Sequence, residues 1–200
     1  MQCEKIGRHG DMMSATEAMD RRYSCRRYAD EQVSDEELQT ILQGAYNAPV
    51  ALNRGQDYQL RVVRDKDVLE EIEAVTQVYY KRLGMNISAI YHAPALILVL
   101  CNTAAAAGVP EIMRQPFLHG QVCTAACIGE NMLLAATEAG LGSVFLTGLR
   151  EAVNQDESLL NKINVPDGFQ VAAAVAIGYE AAGDTSGRGS REGRFEVEFI

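Results

Sequence analysis

Between Asp20 and Asp30 the chain sets Arg21, Arg22, Arg26 and Arg27 around Ser24, a local excess of positive charge in a sequence of formal net charge -9. Guanidinium groups present planar forks of donors that match phosphate oxygens and keep their charge near neutral pH; Ser24 adds a hydroxyl donor beside them. The chemistry on offer is recognition of a phosphate on a bound ligand. The same residues also suit a solvated helix end, where arginines in a last turn face the negative pole of the helix dipole and need no ligand. Residue types alone leave both readings open, and the helix end is the simpler.

Little else in the chain offers side-chain catalysis. His9, His92 and His119 recur near no Ser or Cys in a nucleophilic motif. His92 reads as a structural side chain before a buried strand and His119 as a cap beside Gly120. Gly140, Gly142 and Gly148 have the wrong spacing for a triphosphate-binding loop or for the GxGxxG of a dinucleotide fold. The five cysteines are odd in number and hold no CxxC pair, which suits a reducing compartment and argues against a zinc site or a disulfide framework. Cys123 and Cys127 stand one helical turn apart without a histidine at ligand spacing, and read as small core residues.

The elements that must position the arginines follow from composition and spacing. A chain of 200 residues with 48% hydrophobic content buries one sizeable core. With 27 acidic against 18 basic residues it lacks the broad basic face of a nucleic-acid binder. No apolar run reaches the length of a membrane span, and the first residues lack a signal-peptide core, so a cytoplasmic protein is expected. Residues 1–13 read as a disordered leader and 14–200 as a single domain.

Ser14 with Glu17, and Ser34 with Glu37, stand at capping-box spacing and predict helices running to about Arg22 and about Asn47. Tyr58 to Val63 alternates like a strand with one face in the core. Asp65 to Arg82 carries a helical stripe of Val68, Ile72, Val75 and Tyr79. Ala95 to Cys101 is apolar throughout, as in a strand buried on both faces. Asn102 to Phe117 has no clear pattern and reads as a cover or a surface connection. Gly120 to Ala139 predicts a long helix with the small-residue stripe Val122, Ala126, Gly129, Leu133 and Ala136, either central or paired with a second subunit. Gly140 caps it, strands follow at Ser143–Leu146 and Val171–Gly178, and Phe195 to Phe199 alternates like a last strand. Gly183 to Gly193 reads as a polar, Gly-rich tail or loop.

Taken in order, these segments resemble the nitroreductase family. The string RRYSCRRYADEQVSDEEL, with Arg22, Ser24 and Arg26, is similar to the RRSxRxF opening of that family. A helix ending at Ala48 and Pro49, a strand ending near Val63, the phrase YHAPALILVL from Tyr91 to Leu100, GENMLLAATEAGLGSVFLTG from Gly129 to Gly148, and a closing Gly178 and Tyr179 follow in the family's sequence. The resemblance implies an α+β fold with a mixed, mainly antiparallel sheet flanked by helices, a homodimer, and FMN held at the dimer interface. It implies that Arg22, Ser24 and Arg26 hold the FMN phosphate, and that Leu146, Thr147 and Gly148 run backbone past the reactive edge of the ring. Where the family commonly reads APSxxNxQPW this chain reads APVALNRGQDY, so Val50 replaces a serine, and Asn53 is carried over as a ring contact across a longer loop. A C-terminal basic residue that returns to the phosphate is carried over to Arg191, with Arg188 and Arg194 as neighbours.

The activity so implied is an FMN-dependent oxidoreductase in which NADH or NADPH reduces the flavin and an acceptor such as a nitroaromatic or quinone reoxidises it. The cofactor carries the chemistry, so no side-chain acid or base is required. Tyr79, Tyr80 and Phe117 are candidates to line its open face, with core packing as their alternative role. Cys25 sits among the cations and reads as an inward-facing small residue. A relative using FMN for dehalogenation, dehydrogenation or flavin breakdown, and a flavin-binding or interaction dimer without turnover, remain alternatives because of the altered segment at Val50.

Overall fold

The computed structural model describes residues 13–182 and 194–200. Two capping boxes form as spaced. Ser14 accepts from the Glu17 amide at 3.2 Å while Glu17 accepts from the Ser14 amide at 2.8 Å, starting α1 at Ala15–Arg21. Ser34 and Glu37 do the same for α2 at Asp35–Tyr46. These hydrogen bonds satisfy amides that a helix start leaves free, and they hold both glutamate carboxyls below the ordinary carboxylate range. Beyond a turn at Ala51–Asp57 come β1 (Tyr58–Val63), α3 (Lys66–Arg82), β2 (Ala95–Asn102) and α4 (Glu111–Glu138). Then follow β3 (Gly142–Leu146), α5 (Arg150–Val153), α6 (Glu157–Lys162) and β4 (Phe169–Gly178).

The four strands lie in the order β1-β2-β4-β3, each pair antiparallel. Among the described residues, parallel pairing enters through an isolated bridge between Ser24 and Ser143. The central strand β2 divides its side chains by strict alternation. Ala95, Ile97, Val99 and Cys101 enter the core beneath α2 and α4, while Leu96, Leu98 and Leu100 enter the core beneath α3, α5 and α6. Both faces are therefore apolar, which is why this segment reads as one unbroken hydrophobic run. The register shifts at Val99/Leu100, where Ala172 of β4 is the extra residue.

α4 is longer than its sequence pattern implies. It begins at Glu111 after Pro110 and carries Pro116 in its second turn, where proline cannot donate to the Ile112 carbonyl. That proline and the exposed Ile112 and Met113 hide the helical period of this stretch. Its buried face matches the expected stripe in part. Gly129, Leu133 and Ala136 are buried as expected, together with Gln121, Thr124, Ala125, Ile128 and Met132, whereas Val122 and Ala126 are exposed.

The small residues of α4 serve contacts within the chain. Gly129 lies against the Phe145 ring with no space for a Cβ, and Ala135 packs on Gly44 of α2, where an added Cβ would stand 2.9 Å away. The helix is thus central, and it ends in a Schellman motif. Gly140, at φ +77, donates to Thr137 at 3.1 Å, and Leu141 donates to Ala136 at 2.8 Å.

Other expectations need correction. Buried on α3 are Leu69, Ile72, Glu73 and Thr76, with Val68 and Val75 at the margin, because a helix lying flat on a sheet buries a broad face. Phe195 to Phe199 forms no strand, and its apolar side chains are exposed. Cys123 is exposed and Cys127 half-buried, so neither is a full core residue. His119 lies inside α4 and caps nothing. The expected leader at 1–13, apart from Met13, and the Gly-rich segment at 183–193 lie outside the described residues. No helix among the described residues is long and apolar enough to cross a membrane.

Candidate functional site

The arginine cluster begins at a helix end and runs past it, with Arg21 in the last turn of α1, Arg22 as its C-cap, and Arg26 and Arg27 beyond. α1 stops at Arg21, and from Arg22, at φ -57 and ψ 126, the chain is extended. Successive side chains of an extended segment point to opposite sides, so Tyr23 and Cys25 turn into the core while Arg22, Ser24 and Arg26 share the outer face.

Backbone pairing fixes that geometry. Cys25 donates to the Ser143 carbonyl at 3.0 Å, beside the parallel bridge from Ser24 to Ser143. Ala29 donates to Tyr179 at 2.9 Å. The Tyr28 hydroxyl donates to Cys25 at 3.0 Å and to Ala176 of β4 at 3.3 Å. Burial, with Cys25, Tyr23 and Tyr91 nearby, pushes the Tyr28 phenol well above its usual range, so it remains a donor at any physiological pH. Gly142 allows this approach, because a Cβ there would meet Cys25 Sγ at 2.7 Å.

Each of the three outer residues has its own surroundings. The Arg22 side chain is mostly covered and stands 3.7 Å from the Glu130 carboxylate of α4. Arg26 is exposed, donates to the Ser24 carbonyl at 3.3 Å, and lies 5.8 Å from the Tyr91 ring centroid, within cation–π range. Ser143, at the bridge, has a buried hydroxyl with no hydrogen-bond partner among the described residues. Tyr91 and His92 both hold left-handed backbone, at φ 56 and φ 55, which is costly for a bulky side chain. The turn is braced by the Ser88 hydroxyl, which accepts from the Tyr91 amide at 2.8 Å.

β3 leads away from this cluster. Leu146 is three residues beyond Ser143, roughly 10 Å at the rise of a strand. It is half-buried, while Thr147 and Gly148 are exposed. The Tyr80 hydroxyl lies against Gly148 where any side chain would sit. Burial, then the neighbouring Tyr91 and the Glu73 carboxylate, raise the Tyr80 phenol. Arg26 thus adjoins Tyr91, and Tyr80, which feels the Tyr91 phenol, adjoins Gly148.

Asn53 stands elsewhere. It is exposed, left-handed at φ 54, and follows Leu52 at φ 55 in a turn whose Ala51 amide donates to Thr124 of α4 at 3.1 Å. Thr124 and Glu130 are roughly 9 Å apart along α4 and about 120° apart around it. Within one chain, then, the loop of Asn53 and the arginine cluster sit on different flanks of the same helix. Arg191 and Arg188 lie outside the described residues, and Arg194 is exposed. Sequence reasoning missed Glu130, Tyr91 and Ser143, because what brings them to the cluster is the fold. The expected inward Cys25 is fully buried.

The comparisons with known proteins agree with this architecture. Residues 19–179 match the model of the nitroreductase family. A protein of Archaeoglobus fulgidus bearing the provisional name NADH dehydrogenase/NAD(P)H nitroreductase is 34% identical over 160 residues, 79% of this chain and 80% of the relative. A protein of the same provisional name from Methanothermobacter thermautotrophicus is 28% identical over 84% of this chain and 78% of its own length. Among solved structures, a nitroreductase with bound FMN from Desulfitobacterium hafniense superposes with a TM-score of 0.77 at 22% identity, covering 93% of this chain and 97% of that one. Another with bound FMN, from Bacteroides fragilis, gives 0.74 at 24% identity, covering 92% and 98%. The chain has the α+β nitroreductase fold, an antiparallel sheet packed between helices. It belongs to the nitroreductase family.

Proposed function

We propose that this protein is an FMN-dependent oxidoreductase that takes reducing equivalents from NADH or NADPH and passes them to a nitroaromatic, quinone or related acceptor. The observation that carries the reading is the extended segment that sets Arg22, Ser24 and Arg26 on one face and joins them to β3 at Ser143. When bound, FMN supplies the redox chemistry, accepting a hydride from the nicotinamide and passing electrons to the acceptor.

The residues present fit such a group. Two guanidiniums and a hydroxyl on one face form a donor set for a phosphate monoester, and the orphaned Ser143 hydroxyl adds a further polar group at the bridge. Leu146 to Gly148 are a strand length away, beside Tyr80, and can border the ring. Glu130, 3.7 Å from Arg22, holds that side chain in place without neutralising Arg26.

A homodimer belongs to the proposal. Asn53, on the other flank of α4, reaches a flavin at the arginine cluster only if a second copy presents it. FMN thus lies between two chains, with phosphate held by one and the ring approached by the loop of the other. NADH and NADPH, the acceptor and a C-terminal contact from Arg191 stand on the family resemblance.

The test is direct. Protein purified from cells should be yellow and release FMN on denaturation, and it should oxidise NADH or NADPH steadily only when a nitro or quinone acceptor is added. A colourless protein that stays colourless after incubation with FMN refutes the reading. A yellow protein inert across a broad acceptor panel refutes the reductase activity and favours a relative that uses FMN for another reaction.

A further inference from the structure

The turn that leads from α3 into β2 is strained and firmly held. Tyr91 and His92 stand in succession in the left-handed region, which glycine or asparagine occupies at less cost. Such a conformation persists where its surroundings over-determine it. The buried Glu73 carboxylate of α3 accepts from the Ala89 amide at 3.0 Å and from the Ile90 amide at 2.9 Å, and the Ser88 hydroxyl accepts from the Tyr91 amide at 2.8 Å. Ala93 closes the turn by donating to the Ile90 carbonyl at 3.1 Å. Ala89, Ile90 and Ala93 are buried, so the chain is pinned on both sides of the two strained residues.

The two strained residues differ in what they meet. His92 is exposed. Tyr91 is half-buried at the margin of the core beneath α3, and the Arg26 guanidinium lies over its ring, 5.8 Å from the centroid. That guanidinium is tied at a second point, where Nη1 donates to the Ser24 carbonyl at 3.3 Å. An exposed arginine ordinarily samples many rotamers and gives them up when it grips an anion. Arg26 has a ring beneath it and its own segment beside it, so part of that ordering precedes any ligand. Arg22 stands instead beside the Glu130 carboxylate, whose charge offsets its own. A ring face orients a cation and leaves its charge uncancelled.

We propose that Tyr91 is a positioning residue, whose ring holds the Arg26 guanidinium ready to grip a phosphate monoester. The role rests on the proposed function, since the phosphate is that of FMN. It gives the strained turn a purpose: a change of backbone conformation at Tyr91 would swing the ring away from the guanidinium. The phenol hydroxyl has no part in it, because a cation is attracted by the face of the ring. Phenylalanine would therefore serve as well, and an aliphatic side chain would not.

The test is a titration of the full-length protein with FMN and with riboflavin, followed by flavin fluorescence, on variants whose circular dichroism matches wild type. Tyr91→Phe should keep the wild-type preference for FMN. Tyr91→Leu and Tyr91→Met keep apolar bulk without a ring; they should bind FMN about three- to fivefold more weakly, the worth of an exposed cation–π contact, with riboflavin affinity unchanged. In an Arg26→Ala background Tyr91→Leu should have no further effect, because the ring has no cation left to hold. His92→Gly, which relaxes the turn without touching the ring, should leave the preference as it is. A preference that survives both the Leu and Met changes, a loss that phenylalanine fails to rescue, an equal effect with and without Arg26, or an equal loss in His92→Gly would each overturn the role. Wild type that takes up neither flavin overturns the proposed function and this role with it, whereas wild type that prefers FMN through Arg26 and ignores the changes at Tyr91 overturns this role alone.

Discussion

Replacing Arg22 and Arg26 together by alanine removes both guanidiniums from the outer face of the extended segment and leaves its backbone pairing to Ser143 and Tyr179 intact. Arg26 is exposed, and Arg22 stands 3.7 Å from a glutamate that is itself 54% exposed. Because the Arg22 side chain is mostly covered, the fold should lose about 1–2 kcal/mol. Binding of FMN should suffer far more. A hydrogen bond to a charged group contributes about 1.5–3 kcal/mol, so two of them amount to roughly 3–6 kcal/mol, or about two to four orders of magnitude in Kd. Fluorescence titration with FMN and with riboflavin separates the phosphate from the ring. Wild type should prefer FMN strongly, and the double variant should bind the two alike, with a melting temperature near that of wild type. A variant that still distinguishes FMN from riboflavin would show that the phosphate is held elsewhere.

Three further outcomes follow from particular contacts. The buried Glu73 carboxylate accepts from the Ala89 and Ile90 amides at 3.0 and 2.9 Å and from Gln77 at 2.9 Å, so Glu73→Ala strands two amides and should cost roughly 2–5 kcal/mol in urea unfolding; a loss below 1 kcal/mol contradicts the assignment. Burial, together with the Asp57 carboxylate, pushes the Cys101 thiol from 9.0 up to about 12, so the native state keeps a proton that the unfolded chain releases. The associated stability is present below pH 9 and fades as pH rises toward 12. At pH 10.5 wild type should have lost about 2 kcal/mol relative to Cys101→Ala, and parallel pH profiles of the two proteins would disprove this. Finally, Gly148→Val must displace the Tyr80 hydroxyl, so FMN affinity should fall by roughly tenfold or more while the fold persists; an unchanged Kd would mean that the end of β3 does not border the cofactor.

What the sequence alone determined is what neighbouring residues decide among themselves. The two capping boxes, the Gly140 cap and the apolar β2 are local, since a side chain two or three residues away satisfies the amide or the strand's own alternation sorts its faces. The order of motifs from Arg22 to Tyr179 was enough to name the family, because that order is a property of the chain itself. The arginines could not be placed this way. Their spacing fits a helix end and a strand equally, and pairing with Ser143, more than a hundred residues on, makes the segment extended and sets Arg22 and Arg26 on one face with Ser24. The same holds for Glu130 beside Arg22, for Tyr80 against Gly148, and for Gln121, whose amide donates to the Asn102 carbonyl. The face that α4 buries was decided by what it packs on, with Gly44 on one side and Phe145 on the other selecting a rotation that hydrophobicity left open. Contacts between distant segments depend on how whole elements stack, and one-dimensional spacing carries no record of that.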